Sequence, residues 1–303
     1  MSLKNITIVG ASGNVGRGIL PTLLKSDLTI TLLTRTSSAA KFPTGVNVIT
    51  SDFSLASLTG AFKGQDAVIS CMPIPALGDQ AVVIEAAIAA GVKRFIPSEY
   101  GSDSSNPAVI VAVPFFEGKQ KYLEYLKSKQ DIITWTALIT GPFFDWGLAQ
   151  GFLGFNLAAK SALLLDGGRT KFTTSTVAQI ARSLIAILDH PEETANKLVF
   201  IESFTTTQVE ILAALEKVTG EKWSAVDAQA ADIRSEGFKA MGEGDLLGGG
   251  GKIITAAVLG KEGLEDHTGV EGGIWNAKLG LVRESVEEEV RKVVEFAATV
   301  AEK

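Results

Sequence analysis

The chain is predicted to be an α/β protein, a doubly wound parallel sheet followed by a smaller C-terminal α/β part. Two observations carry that class. Short β-branched runs alternate with helical stretches through residues 1–140, the pattern of βαβ crossovers and of a sheet covered on both faces. A glycine-rich turn follows the first of these runs, where a strand passes into a helix. After Thr140 the alternation becomes irregular. Residues 1–140 are therefore read as one domain and 141–303 mainly as a second part, with some segments returning to the first sheet.

The strands expected in the first domain are "NITIVG", "LTITLLTR", "VNVITSD", "DAVISCM", "KRFIPSE" and "IITWTALIT". Each is six to nine residues of buried character bounded by turn residues. "NVGRGILPTLLKS" and "QAVVIEAAIAAGV" have helical periodicity between them. Further on, "GPFFDWGLAQGFLGF" reads as a loop or short helix lining something apolar. "STVAQIARSLIAILDHP" reads as a helix stopped by Pro191, and "KLVFIES" as another strand. "TTTQVEILAALEKVTG" has a capping-box pattern from Thr207 to Glu210 and stops at Gly220, and the final helix repeats that pattern from Ser285 to Glu288. "GEGDLLGGGGKI" (242–253) is the one low-complexity segment and reads as a flexible surface loop or lid. It is not a phosphate loop, because Leu246 stands where the first glycine is needed and Ile253 where Ser or Thr is needed.

Composition narrows the function classes. With 46% apolar and 20% charged residues, the chain has material for a packed core and is not a disordered segment. A net charge of −6 lacks the basic footprint of a nucleic-acid partner. A lone cysteine, Cys71, excludes an internal disulfide framework and fits a reducing compartment. "AVVIEAAIAAGV" is too short and too interrupted by Glu85 to span a bilayer. Cytoplasmic residence without membrane or nucleic-acid partners is the expectation, as a monomer or a homodimer. The two histidines, His190 and His267, have no metal or triad spacing, so no metal site is expected.

In "GASGNVGRGIL" the glycines fall at Gly10, Gly13 and Gly16, at a strand-to-helix turn. Gly10 makes the tight turn, Gly13 lets backbone N–H groups approach a pyrophosphate, and Gly16 lets the helix pack on the strand. Ser12, Asn14 and Val15 complete this expected dinucleotide cradle. An NAD site would carry an acid at the end of the second strand, about 20 residues on, and Arg35 stands there instead. With Ser37 and Lys41 it offers a guanidinium, a hydroxyl and an ammonium to a 2′-phosphate, which favours NADP. Asp52 is placed to meet the adenine edge, or to form a turn. Cys71 and Met72 close the fourth strand and Ser98 follows the fifth, at the cofactor edge of the sheet; for Cys71 a small buried thiol is the commoner outcome.

The candidate acid–base group lies in "FFEGKQKYLEYL". At roughly 100° per residue, Phe115, Phe116, Tyr122, Leu123 and Leu126 fall within about 60° of Lys119, while Lys121 faces away with Glu117 and Glu124. A lysine on an apolar stripe either snorkels or is desolvated, and desolvation moves its pKa toward the useful range. Its place near the helix start, on the cofactor side, favours catalysis. The one Tyr-x-x-x-Lys match, Tyr125 to Lys129, lies about 15 Å further along the helix at its wrong end, and is read as chance.

These stretches, with "RFIPSEYGSD", resemble the isoflavone-reductase-like, or NmrA-like, family of atypical short-chain dehydrogenases, over almost the whole chain. The resemblance implies a Rossmann domain binding NADPH, and hydride transfer with a single lysine, here Lys119, in place of the usual Tyr–Lys pair. It also implies an aromatic or phenylpropanoid-like substrate, for which Tyr100, Phe143, Phe144 and Trp146 are the candidate contacts; the last three read equally as packing between the two parts. Leu123 departs from the basic residue usual in the plant reductases four positions after the lysine, and Tyr100 from their "SEFG". Within the same family, a regulatory protein that senses NADP without turnover is the alternative; an epimerase-like use of the cofactor needs the Tyr–Lys pair.

Overall fold

The computed structural model describes residues 2–301. In chain order the strands are β1 (Asn5–Val9), β2 (Thr29–Arg35), β3 (Asn47–Ser51), β4 (Ala67–Ser70), β5 (Arg94–Ile96), β6 (Thr134–Ile139), β7 (Phe155–Asn156), β8 (Ser161–Leu165), β9 (Phe172–Thr174), β10 (Lys197–Phe200), β11 (Phe204–Thr206) and β12 (Ser224–Ala228). The helices are α1 (Asn14–Leu23), α2 (Leu55–Phe62), α3 (Gln80–Ala89), α4 (Pro107–Ala112), α5 (Glu117–Ser128), α6 (Phe144–Ala149), α7 (Val177–Asp189), α8 (Gln208–Thr219), α9 (Ala230–Gly242), α10 (Leu246–Leu259) and α11 (Val286–Ala301).

Seven strands form one parallel sheet in the order β10-β6-β5-β4-β1-β2-β3. Strand order turns back on itself between β1 and β4, and the crevice outside the carboxyl ends of those strands is where such sheets receive ligands. Thr7, Ile8 and Val9 of β1 are fully buried, the signature of a central parallel strand covered on both sides. One face carries α1 and α7, the other α2, α3 and α5. Helix α7 starts on the side-chain cap of Thr176, whose hydroxyl accepts from the Gln179 N–H, and its Val177 packs so closely on α1 that a Cβ at Gly18 would lie 2.4 Å from Val177 Cγ1. β10, from the second half of the chain, lies at the sheet edge beside β6.

The rest of residues 141–301 builds a separate core. A three-stranded sheet (β12-β8-β7), the antiparallel pair β11-β9 and helices α6, α8, α10 and α11 enclose Phe155, Phe172, Leu215 and Leu259. The α8 capping box is present: the Thr207 hydroxyl accepts from the Glu210 N–H, and the Glu210 carboxylate accepts from the Thr207 N–H. Gly220 ends that helix in the left-handed conformation, φ 69°.

Residues 246–253 are not a loop. They form the first half of α10, capped by Asp245, whose carboxylate accepts from the Gly248 N–H at 2.8 Å. Four adjacent glycines lower helix propensity enough to hide the element, but burial of Ile253, Ala256 and Ala257 supplies the i, i+3, i+4 stripe that packing rewards.

The two halves meet at Gly141, just after β6. Its φ is +62°, and a Cβ there would lie 1.9 Å from the Thr173 carbonyl oxygen of β9. Gly91 shares the positive φ (+74°) but faces open space. Gly91→Ala should therefore lose only the backbone preference, about 1–2 kcal/mol. Gly141→Ala should lose at least a further ~1–3 kcal/mol from the clash, measured as a larger drop in urea midpoint.

Candidate active site

At the carboxyl ends of β1 and β4 the glycine turn is held by contacts as close as glycine allows. Gly10 has φ +84°, and a Cβ would come 2.7 Å from the Cys71 carbonyl oxygen; a Cβ on Gly16 would come 2.5 Å from Ala11 Cα. Gly13 differs, since its nearest neighbours would be at an ordinary 3.4 Å. Nothing inside the protein demands glycine there, so the demand falls on whatever approaches the backbone. Gly13 is also the N-cap of α1 and supplies no side-chain cap, which leaves the first N–H groups of the helix for an anion. Ser12 and Asn14 are exposed and Val15 half-buried around this turn. These residues fit a dinucleotide pyrophosphate.

Arg35 ends β2 on the same side. Its guanidinium pairs with Asp79, next to the start of α3, and stacks over the Phe53 ring at 4.1 Å. Both charges are nearly half exposed, so an arriving phosphate can take over the guanidinium face. Ser37 and Lys41 follow on the exposed loop. Asp52 is exposed, and its carboxylate accepts from the Ser54 N–H at 2.9 Å, which holds it below the usual carboxylate range. Its observed work is the turn. Cys71 and Met72 are buried, and the Ser98 hydroxyl donates to the Met72 carbonyl at 2.7 Å, tying the ends of β4 and β5 together. Burial pushes the Cys71 thiol up to about 12, so it is an inert packing group.

Lys119 sits in the first turn of α5 and is only 7% exposed. It does not snorkel. Its ammonium donates to the Glu99 carbonyl oxygen at 2.5 Å and lies 4.8 Å from the Phe116 ring centre. Desolvation lowers its pKa, opposed by the charges of Glu99 and Glu265; the helix N-terminus works with desolvation. Lys121 is exposed, and Tyr125 and Lys129 make a surface cation–π pair at 5.4 Å instead of a catalytic couple.

In front of Lys119 opens a cavity of about 490 Å³, lined almost wholly by apolar side chains, including Tyr100, Phe116, Phe143, Trp146 and Phe152, and by one face of α10. Tyr100 holds φ +27°, a strained value for a non-glycine residue, with its hydroxyl 4.0 Å from Cys71 Sγ. Phe144 corrects an expectation. It is fully buried, packs edge-on against Phe204 at 4.8 Å in the C-terminal core, and does not line the cavity. Phe143 precedes the helix and faces the cavity, while Phe144, its first residue, turns into the C-terminal core.

Close to Lys119 lies a polar cluster that sequence spacing did not reveal: Glu99, Glu265 and His267, all buried. Ser102 and Ser104 lie near the acids, yet neither carboxyl nor the imidazole has a hydrogen-bonded partner among the described residues. Glu265 and His267 approach within 3.6 Å. Burial raises Glu99 to about 7 and Glu265 to about 8, and lowers His267 to about 4. Glu99 comes from the turn after β5 and Glu265 and His267 from one segment far along the chain, so no local spacing joins them and only their rarity as buried ionisable groups could have signalled them.

Residues 2–236 match the sequence model of the NmrA-like family. The chain is 37% identical to Oxidoreductase aprR of Aspergillus flavus, over 82% of this chain and 84% of that protein. It is 34% identical to Oxidoreductase poxI of Penicillium oxalicum, over 96% and 94%. Its fold superposes on the AtPrR2 complex with NADP+ and (+)pinoresinol with a TM-score of 0.80 at 20% identity, over 97% and 99% of the two chains.

The buried acids give a pH test. Above the ordinary carboxylate value of 4.5 the native state keeps a proton on Glu99 up to about pH 7 and on Glu265 up to about pH 8 that the unfolded chain has released. Stability should fall as pH rises through that window, by up to about 1.4 kcal/mol per pH unit for each acid. His267, neutral in the native state down to about 4, acts in the opposite direction only below its ordinary value of 6.5. Glu265→Gln should flatten the decline in Tm above pH 6.5; an unchanged slope would place the protons elsewhere. The matched family sequence, the oxidoreductase relatives and the shared fold lead to one conclusion: this chain belongs to the NmrA-like family.

Proposed function

We infer that the protein is an NADPH-dependent oxidoreductase that reduces an apolar, aromatic or phenylpropanoid-like small molecule, with Lys119 as the proton donor. The observation that carries this reading is the placement of a desolvated ammonium at the junction of the sheet's carboxyl ends and a large apolar cavity. The oxidoreductase class is supported by the relatives of 37% and 34% identity, and NADP by the turn at Gly10–Gly16, by Arg35, and by the cofactor in the AtPrR2 complex. The aromatic character of the substrate is supported by the Phe and Trp lining and by pinoresinol in that complex.

When bound, NADPH supplies a hydride to an electron-poor carbon of the substrate. The chain's own residues do the rest. Gly10, Gly13 and Gly16 leave the α1 N-terminus open to the pyrophosphate, and Arg35 faces the 2′-phosphate. The apolar walls exclude water and hold the rings. Of the three N–H groups of Lys119 one is committed to the Glu99 carbonyl, which leaves two for the substrate oxygen. As negative charge develops there, the ammonium stabilises it and transfers a proton.

Lys119→Met should keep NADPH affinity while kcat for aromatic enones, benzylic ethers or aldehydes falls by about 10²–10⁴-fold, read as NADPH oxidation at 340 nm. Retained turnover would remove Lys119 from the chemistry, and a wild type that binds NADPH but turns over none of the panel would favour the sensing reading. Arg35→Asp should weaken NADPH binding more than NADH binding; equal losses would overturn the 2′-phosphate assignment.

A further inference from the structure

Helix α10 opens with four glycines at a cost of about 1 kcal/mol each relative to alanine, and the packing explains only two of them. A Cβ on Gly248 would lie 2.2 Å from the carboxylate of the capping Asp245. A Cβ on Gly249 would lie 2.5 Å from the Gly237 carbonyl oxygen, where α9 and α10 cross at close range. Gly250 and Gly251 meet no such neighbour. The nearest atom to a Cβ on Gly250 is Phe115 Cζ at 3.7 Å, and on Gly251 nothing lies within 4 Å. Both line the cavity in front of Lys119.

Two further observations point to what uses this space. Leu246 and Leu247, at the start of the same helix, are 64% and 80% exposed, and Trp146 and Ile74 are partly exposed across the opening. All four belong to the cavity lining, so the mouth is an apolar rim of the kind that marks a binding surface. At the other end Lys119, 93% buried by its 7% exposure, has N–H groups to spare. The volume, about 490 Å³, exceeds what a single ring fills and lies in the range of sites for larger ligands, ~300–1,000 Å³.

We propose that the bare backbone of α10 at Gly250 and Gly251 is the size filter of this site, making room for a ligand of two or more rings. One ring system lies flat against the helix backbone, the oxygen faces Lys119, and the far end rests on the Leu246–Leu247 rim. The proposal rests on the reading of this cavity as the substrate site, but not on turnover. A side chain at either glycine fills the space meant for the second ring and leaves the Lys119 end free.

The test compares chalcone, a two-ring enone, with cinnamaldehyde, a one-ring enal, by calorimetric titration of the NADP+-saturated protein. Gly251→Leu and, independently, Gly250→Leu should weaken chalcone by about 10–200-fold and cinnamaldehyde by less than about threefold, with NADP+ affinity unchanged. Gly60→Leu, on an open surface of α2, should change neither. If Gly251→Leu folds poorly, Gly251→Ala keeps the question open to measurement and should give a smaller loss for chalcone alone. Equal losses for both ligands, no loss for chalcone, or no binding of either ligand to the wild type would overturn the filter. Size-dependent binding without turnover of either ligand by NADPH would leave the filter standing and overturn the reductase reading.

Discussion

Burying the Lys119 ammonium is the constraint on which the site's arrangement depends. A buried cation without a partner is expensive, and here the partner is a backbone carbonyl, that of Glu99, in the turn after β5. The turn must present that oxygen toward α5, and it does so with Tyr100 at φ +27° and Gly101 following. The same bond links the helix to the sheet edge where a dinucleotide arrives. A carbonyl neutralises no charge, so the ammonium stays perturbed and keeps donors available for a ligand. That separates it from a surface lysine satisfied by an ion pair.

Around this bond an apolar cavity and a buried polar cluster come together. In front, the cavity is lined almost wholly by hydrocarbon and aromatic surface, a medium in which one donor dominates the orientation of a ligand. Close to the same ammonium, Glu99, Glu265 and His267 are buried without hydrogen-bonded partners among the described residues. Burial holds the two carboxyls protonated near neutrality and the imidazole neutral. A native structure rarely tolerates such groups. Their concentration close to the desolvated Lys119 ties the protein's stability to pH at the place where its chemistry is proposed.

The C-terminal half contributes by shape more than by charge. Helix α10 trades helix propensity for closeness: two glycines let it seat its cap and cross α9, and two leave the cavity wall bare. The cavity thus belongs to neither half alone. Gly141, pressed on Thr173, brings the end of the parallel sheet against the second core, which puts Phe143 and Trp146 opposite α10.

The amino-acid sequence by itself determined the parallel sheet, the glycine turn at Gly10–Gly16 and the placing of Lys119 on the apolar face of its helix with Lys121 on the exposed one. Each of these depends on local periodicity or on spacing within one strand–turn–helix unit, which a linear pattern records. Tertiary structure decided what depended on distant segments meeting. It turned Phe144 into the core and Phe143 into the cavity, and gathered Glu99, Glu265 and His267 close to the lysine. It also made a helix of 246–259, where intrinsic propensity argued for a loop and where burial of one face outweighed the cost of four glycines.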